Sequence, residues 1–227
     1  MLQRLSAQIM AGGVQPVNPD MAKVVSRLAD SGVFRLGGVL VGTIGFVVIG
    51  THLGVIWGGD ARMTQDVDIA AEARISLAVP DLKADVPDVL DSLEMGFFPV
   101  PRLSHKEPST RFAVRGKTLR VDILTPMHKN NEAPVPIRRL NAAAEPLRFL
   151  DFLIEDPICA VMISGTPCLV RVSQPARYAL HKLILEIFRL LGRHYRHVVV
   201  AGLKELSLER NRQELTYLNI NKRITQG

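Results

Sequence analysis

Three aspartates are the side chains of this sequence whose type and spacing could do chemistry. Met63-Thr64-Gln65-Asp66-Val67-Asp68-Ile69-Ala70 alternates polar and apolar residues in the manner of a half-buried strand. Side chains alternate across a strand, so Asp66 and Asp68 share one face while Val67 and Ile69 turn toward the core. Further on, Thr118 to Thr125 sets Arg120, Asp122 and Leu124 on one face and Leu119, Val121 and Ile123 on the other. Pairing the two strands brings a third carboxylate beside the first two. Left alone, such groups repel and raise one another's pKa. A hard divalent cation, Mg²⁺ or Mn²⁺, relieves this, because it takes carboxylate oxygen together with substrate phosphate. The chemistry implied is phosphoryl transfer at a nucleoside triphosphate with two metal ions, one polarising the attacking hydroxyl and one bridging the triphosphate. Asp66, Asp68 and Asp122 are the expected metal ligands and catalytic acids, with Asp122 assisting deprotonation.

A phosphate site is expected upstream. Gly38-Val39-Leu40-Val41 is a short apolar run that ends at Gly42-Thr43, after which Ile44 to Leu53 is apolar on every side. This pattern predicts a buried strand feeding a buried helix. Backbone amides at a helix N-terminus bind phosphate where a small residue permits close approach, so Gly42 and Thr43 are candidate nucleotide-binding residues, and Thr43 adds a hydroxyl. Arg62 and Thr64, just ahead of the acids, are placed either to bind phosphate or to lock the loop that precedes them.

Other elements follow from local signals. Asn18-Pro19-Asp20 opens a helix with Asn18 as N-cap, and Ser31-Gly32 closes it. A helix is expected within Ala84 to Met95, and Gly116-Lys117 suits a type II′ hairpin turn that puts Asp122 mid-strand. Ala160 to Ser164 and Cys168 to Val172 form a second hairpin, and a helix runs from Pro175 to about Leu191. His52 and Trp57 are assigned to packing. Cys159 and Cys168 have neither zinc nor redox spacing and are read as reduced core thiols.

Composition narrows the class. At 227 residues, 47% hydrophobic and 22% charged, the chain can bury a sizeable core. The first residues lack an apolar run of signal-peptide length, so a cytoplasmic location is expected. Leu36 to Trp57 carries no Asp, Glu, Lys or Arg, but its six glycines and its change of pattern at Gly42 argue against a membrane span. The formal net charge is +6, and Arg189 to Gly227 holds eight Lys or Arg against three Glu. That basic surplus suits a polyanion such as RNA, although a solvated basic helix face is the commoner explanation for so modest an excess.

The order of strand, Gly-Thr, helix, Asp-Val-Asp and a later Val-Asp-Ile strand resembles the DNA polymerase beta-type nucleotidyltransferase superfamily. More closely, VLVGT at 39–43, TQDVDIA at 64–70, LRFLDFLIEDP at 147–157 and RYALHKLI at 177–184 resemble bacterial proteins of the nucleotidyltransferase-like domain family. The resemblance covers roughly residues 20 to 190. It implies that Gly42 and Thr43 occupy the Gly-Ser position, that Asp66, Asp68 and Asp122 are the metal acids, and that Lys182 contacts triphosphate. The expected fold is α/β: a mixed sheet flanked by helices over 1–172, followed by a helical, basic segment over 173–227. The expected activity is metal-dependent transfer of a nucleotidyl group from a nucleoside triphosphate to a hydroxyl of RNA, tRNA or protein. A nucleotide- or RNA-binding module of the same fold without turnover is the alternative.

Overall fold

The structure is a computed structural model and describes residues 1–14, 16–56, 65–73, 83–104 and 107–191. The expectations for Trp57, Arg62, Thr64 and the tail beyond Leu191 lie outside the described residues. By compactness the chain divides into two units, Met1–Tyr178 and Ala179–Gly227.

Where the sequence supplies a helix start signal, a helix begins there. After α1 (Leu2–Ala11), α2 (Pro19–Asp30) opens at Asn18, whose side chain accepts a 3.0 Å hydrogen bond from the Asp20 amide. An N-cap oxygen satisfies one of the donors that a helix start leaves orphaned. Met21, Val24, Val25 and Leu28 recur at helical spacing and are fully buried. The apolar run then splits as its pattern demands, into β1 (Val39–Val41) and α3 (Gly42–His52). Ile44, Val48 and Ile49 bury almost completely, so this stretch is core and not a membrane span. Among the described residues no helix is long and apolar enough to cross a membrane.

The remaining elements are β2 (Asp66–Ala70), α4 (Val86–Asp91), β3 (Phe97–Pro99), β4 (Arg111–Val114), β5 (Arg120–Pro126), β6 (Val135–Ile137), β7 (Ala142–Leu147), α5 (Leu150–Ile154), β8 (Ile158–Met162), β9 (Cys168–Val172) and α6 (Pro175–Leu191). Among the described residues nine strands form one mixed sheet whose main path runs β3-β4-β5-β2-β1-β9-β8, with β7 joined to β5 and β6 to β7. β2 lies antiparallel to β1 and parallel to β5. The fold is therefore mixed α/β, a sheet with helices on its flanks. Val67, Ile69, Val121 and Ile123 are fully buried on one face of β2 and β5, which leaves the aspartates together on the other.

Three local expectations change. The β4–β5 hairpin is present, but Lys117 N–H donates to the Val114 carbonyl at 3.1 Å, and Gly116, at φ +75°, takes the third position of that turn. A positive φ at the third position belongs to a type II turn, not to II′. Cys159 is a free thiol exposed on the outward side of β8, because β8 buries only alternate residues, Ala160 and Met162. His52 is exposed at the last position of α3, where the buried part of the helix has already ended.

Candidate active site

The register of three adjacent strands assembles the site. Asp68 is the Cα partner of Val41 on β1 and of Asp122 on β5, while Asp66 lies opposite Arg120. Strands pair at about 4.8 Å, so Asp68 and Asp122 are side by side on one face, and Asp66 sits two residues along the same strand. Asp122 is largely buried, at 9% exposure.

Gly42 closes the other side of Asp68. It begins α3 at φ +64°, and a Cβ there would stand 1.9 Å from Asp68 Oδ2. Only glycine permits both the left-handed backbone and this approach. The N-terminus of α3, with its positive dipole end, is thereby held against the carboxylate, and Thr43 lies half-buried in its first turn. Tyr178, at the start of α6, fixes the same corner. Its hydroxyl donates to the Gly42 carbonyl at 2.9 Å, and its ring stacks on Phe46 with centroids 5.7 Å apart.

Burial, with the Asp68 charge adding to it, pushes the Tyr178 phenol up to about 12. An unfolded tyrosine ionises near 10. Folding therefore favours the protonated form: the stability this supplies is fully present below pH 10 and lost as pH rises through 12. An ultraviolet absorbance titration is expected to show one phenol ionising about two pH units late, and Tyr178→Phe should remove that step. A phenol at 178 that titrates with an exposed one would contradict its burial beside Asp68.

Two arginines already face the acids. Arg111, the register partner of Asp122 on β4, grips it with both arms, Nε to Oδ1 at 2.5 Å and Nη2 to Oδ2 at 2.9 Å. Its guanidinium is raised above its ordinary value, first by that hydrogen bond and, more weakly, by the charges of Asp122, Asp66 and Asp68. Arg120 Nε stands 3.5 Å from Asp66 Oδ1, beyond good hydrogen-bond range, and that buried oxygen has no hydrogen-bond partner among the described residues.

This arrangement bears on a divalent cation in two ways. Among the described residues no three His, Cys, Asp or Glu side chains close on a single point. Yet the donors are the hard oxygens that Mg²⁺ or Mn²⁺ prefers, and Asp66 Oδ1 is buried without a hydrogen bond. In donor type Asp66, Asp68 and Asp122 suit such a cation, and holding it would require Arg111 to turn away from Asp122. Arg111→Gln is therefore expected to tighten Mn²⁺ binding in the absence of nucleotide by roughly fivefold, the scale of a partly exposed ion pair. Electron paramagnetic resonance of free Mn²⁺ measures this, and unchanged or weaker binding would show that Arg111 does not compete.

Of the other expected residues, Lys182 is exposed on α6 within the second unit, and Arg62 and Thr64 lie outside the described residues. Arg111, Arg102, Glu145 and Tyr178 did not emerge from the sequence reading. For Arg111 a signal existed: a hairpin centred on Gly116-Lys117 sets residue 111 opposite 122, and the observed register is that one.

A mixed α/β sheet with this helix-start corner is consistent with a nucleotidyltransferase fold. A family model described as nucleotidyltransferase matches residues 19–194, most of the chain, and the protein belongs to that family. Membership points to nucleotidyl transfer in general and implies a nucleotide substrate. No curated protein and no solved structure matches the chain.

Proposed function

We propose that this chain is an active, metal-dependent nucleotidyltransferase that moves a nucleotidyl group from a nucleoside triphosphate to a hydroxyl on RNA or protein. The observation that carries the reading is the pairing of Asp68 with Asp122 across β2 and β5, beside the helix start at Gly42. Asp66, Asp68 and Asp122 would hold Mg²⁺ or Mn²⁺, whose charge would offset that of the triphosphate and of the departing pyrophosphate. The amides of Gly42 and Thr43 suit the phosphate oxygens. Asp122 takes the proton of the attacking hydroxyl. The new bond joins that oxygen to the α-phosphorus, and the bond to the β-phosphate bridging oxygen breaks with pyrophosphate as leaving group.

A second reading, nucleotide binding without turnover, draws on the Arg111 grip, which occupies both oxygens of Asp122. Incubation with each α-labelled nucleoside triphosphate, Mg²⁺, total RNA and total protein separates the two. Label in the RNA or protein fraction supports transfer and identifies the acceptor class. Metal-dependent nucleotide binding with no label in either fraction would overturn it in favour of the binding module.

A further inference from the structure

The start of α3 lacks the side-chain cap that fixes the starts of α2 and α4. Those helices open at Asn18 and Asp85, whose side chains accept from the amides of Asp20 and Asp88 at 3.0 Å. α3 opens at Val41, whose side chain has no oxygen to accept with. Gly42 comes next. Glycine visits φ of either sign about equally, so the residue that lets α3 approach Asp68 also leaves its backbone soft.

On the acid side of the site, carboxylates have cationic partners. Asp68 and Asp122 open on a cavity of about 480 Å³, where Arg111 grips Asp122 and where Arg102, with Thr110, holds Glu145. A neutral backbone corner such as Gly42 offers no charge to pair. It is held by hydrogen bonding and packing, and Tyr178 supplies both.

Tyr178 is 7% exposed. Its hydroxyl donates to the Gly42 carbonyl at 2.9 Å, and its ring stacks on Phe46 with centroids 5.7 Å apart. Gly42 and Phe46 are four residues apart, one turn of α3, so the two contacts together oppose both rotation and sliding of the helix at its start. The peptide joining Gly42 to Thr43 is planar and trans, which sets its carbonyl and its N–H on opposite sides. Holding the carbonyl therefore aims the Thr43 amide. Tyr178 is in turn anchored through its neighbour: Arg177, 3% exposed, donates to the Phe152 carbonyl of α5 at 3.0 Å and lies over the Phe152 ring. α5 packs on β5, the strand of Asp122, so the phosphate corner and the acids share one frame.

We infer that Tyr178 is a positioning residue for the triphosphate: it holds the Gly42 carbonyl and the Phe46 ring so that the Thr43 amide meets a phosphate oxygen, without touching the substrate itself. The inference rests on the reading of Gly42 and Thr43 as the phosphate site. It gives Tyr178 no part in metal binding, which belongs to the aspartates.

The test uses the full chain and reads binding apart from transfer. Nitrogen-15 labelling of threonine reports the Thr43 amide, assigned by its loss in Thr43→Ser, while inorganic triphosphate and the Mg²⁺ complexes of ATP, GTP, CTP and UTP are titrated in. The native Thr43 amide should move downfield as triphosphate binds. Tyr178→Phe keeps the ring stack and loses the hydroxyl. In that variant the amide shift should fall by about half or more and the nucleotide dissociation constant should rise about tenfold, the scale of one hydrogen bond. KM should rise by the same factor with kcat changed less than about threefold, because phosphate binding is lost equally from the ground and transition states. Mn²⁺ affinity without nucleotide should stay unchanged. Phe46→Leu keeps the hydroxyl and loses the stack, and it carries the same measurements if Tyr178→Phe does not fold, with a rise of about threefold expected. An unchanged dissociation constant and amide shift in the folded variants, or a fall in Mn²⁺ affinity equal to that in nucleotide affinity, would overturn the inference. A native Thr43 amide that responds to no triphosphate would instead sink the phosphate-site reading on which the inference rests.

Discussion

Asp68→Asn is expected to lower nucleotidyl transfer by about 10³-fold, the scale seen when one preorganised charge-stabilising group is removed from an active site. Asp68 is the hub of the site. It pairs with Val41 on one flank and Asp122 on the other, and the start of α3 is packed against its carboxylate. Asn keeps the shape and loses the charge, so cation affinity falls while the packing against Gly42 survives. Folding should hold. The lost attraction between a carboxylate and a helix N-terminus is about 1 kcal/mol at most, which moves the melting temperature by roughly 2–4 °C in a protein of this size. Steady-state kinetics and a thermal scan on the same preparation check both halves. A loss of less than tenfold, or a collapse in stability, would remove Asp68 from the reaction.

Gly42→Ala should do the reverse and damage structure and activity together. At φ +64° an L side chain carries a backbone penalty of roughly 1–3 kcal/mol wherever it points. Here it also points into an atom, since the new Cβ falls 1.9 Å from Asp68 Oδ2 and 2.9 Å from its Cγ. The aspartate must rotate away or α3 must shift, and either movement separates the phosphate site from the acids. A drop of at least about 100-fold in kcat/KM is expected, because small misplacements of reacting groups cost that much. A double-mutant cycle isolates the cause. In an Asp68→Ala background the carboxylate is gone, so Gly42→Ala should retain only its backbone penalty. Equal penalties in both backgrounds would mean that the close approach to Asp68 carries no energy.

Why could the aspartates be found by reading the chain, and their partners not? The strand–glycine–helix switch at 41–42 and the alternation around Asp66, Asp68 and Asp122 are local patterns set by side-chain period, and so they show in one dimension. Asn18 as N-cap and Pro175 as helix start are local in the same way. The pairing of Asp68, and not Asp66, with Asp122 is a matter of register between strands fifty residues apart in sequence, which no local period encodes. Glu145 sits in Ala142–Leu147, an alanine-rich stretch without strand-like alternation, and it becomes a strand through pairing with β5 and β6. Tyr178 reads as an ordinary helix residue until its hydroxyl is seen on Gly42. Cys159 and His52 depart from expectation for a related reason: each lies in an apolar stretch, but at a position that faces outward.

The central claim is that Asp66, Asp68 and Asp122 form a metal-dependent centre that transfers a nucleotidyl group. Its most direct test labels the same nucleoside triphosphate at the α-phosphorus or at the γ-phosphorus and follows acceptor labelling by the native chain and by an Asp66→Asn, Asp68→Asn double variant, with and without Mg²⁺. The expected result is α-label in the acceptor, γ-label only in released pyrophosphate, and neither product without Mg²⁺ or in the double variant. Transfer of the γ-label, or α-label that persists in the double variant, would contradict the claim.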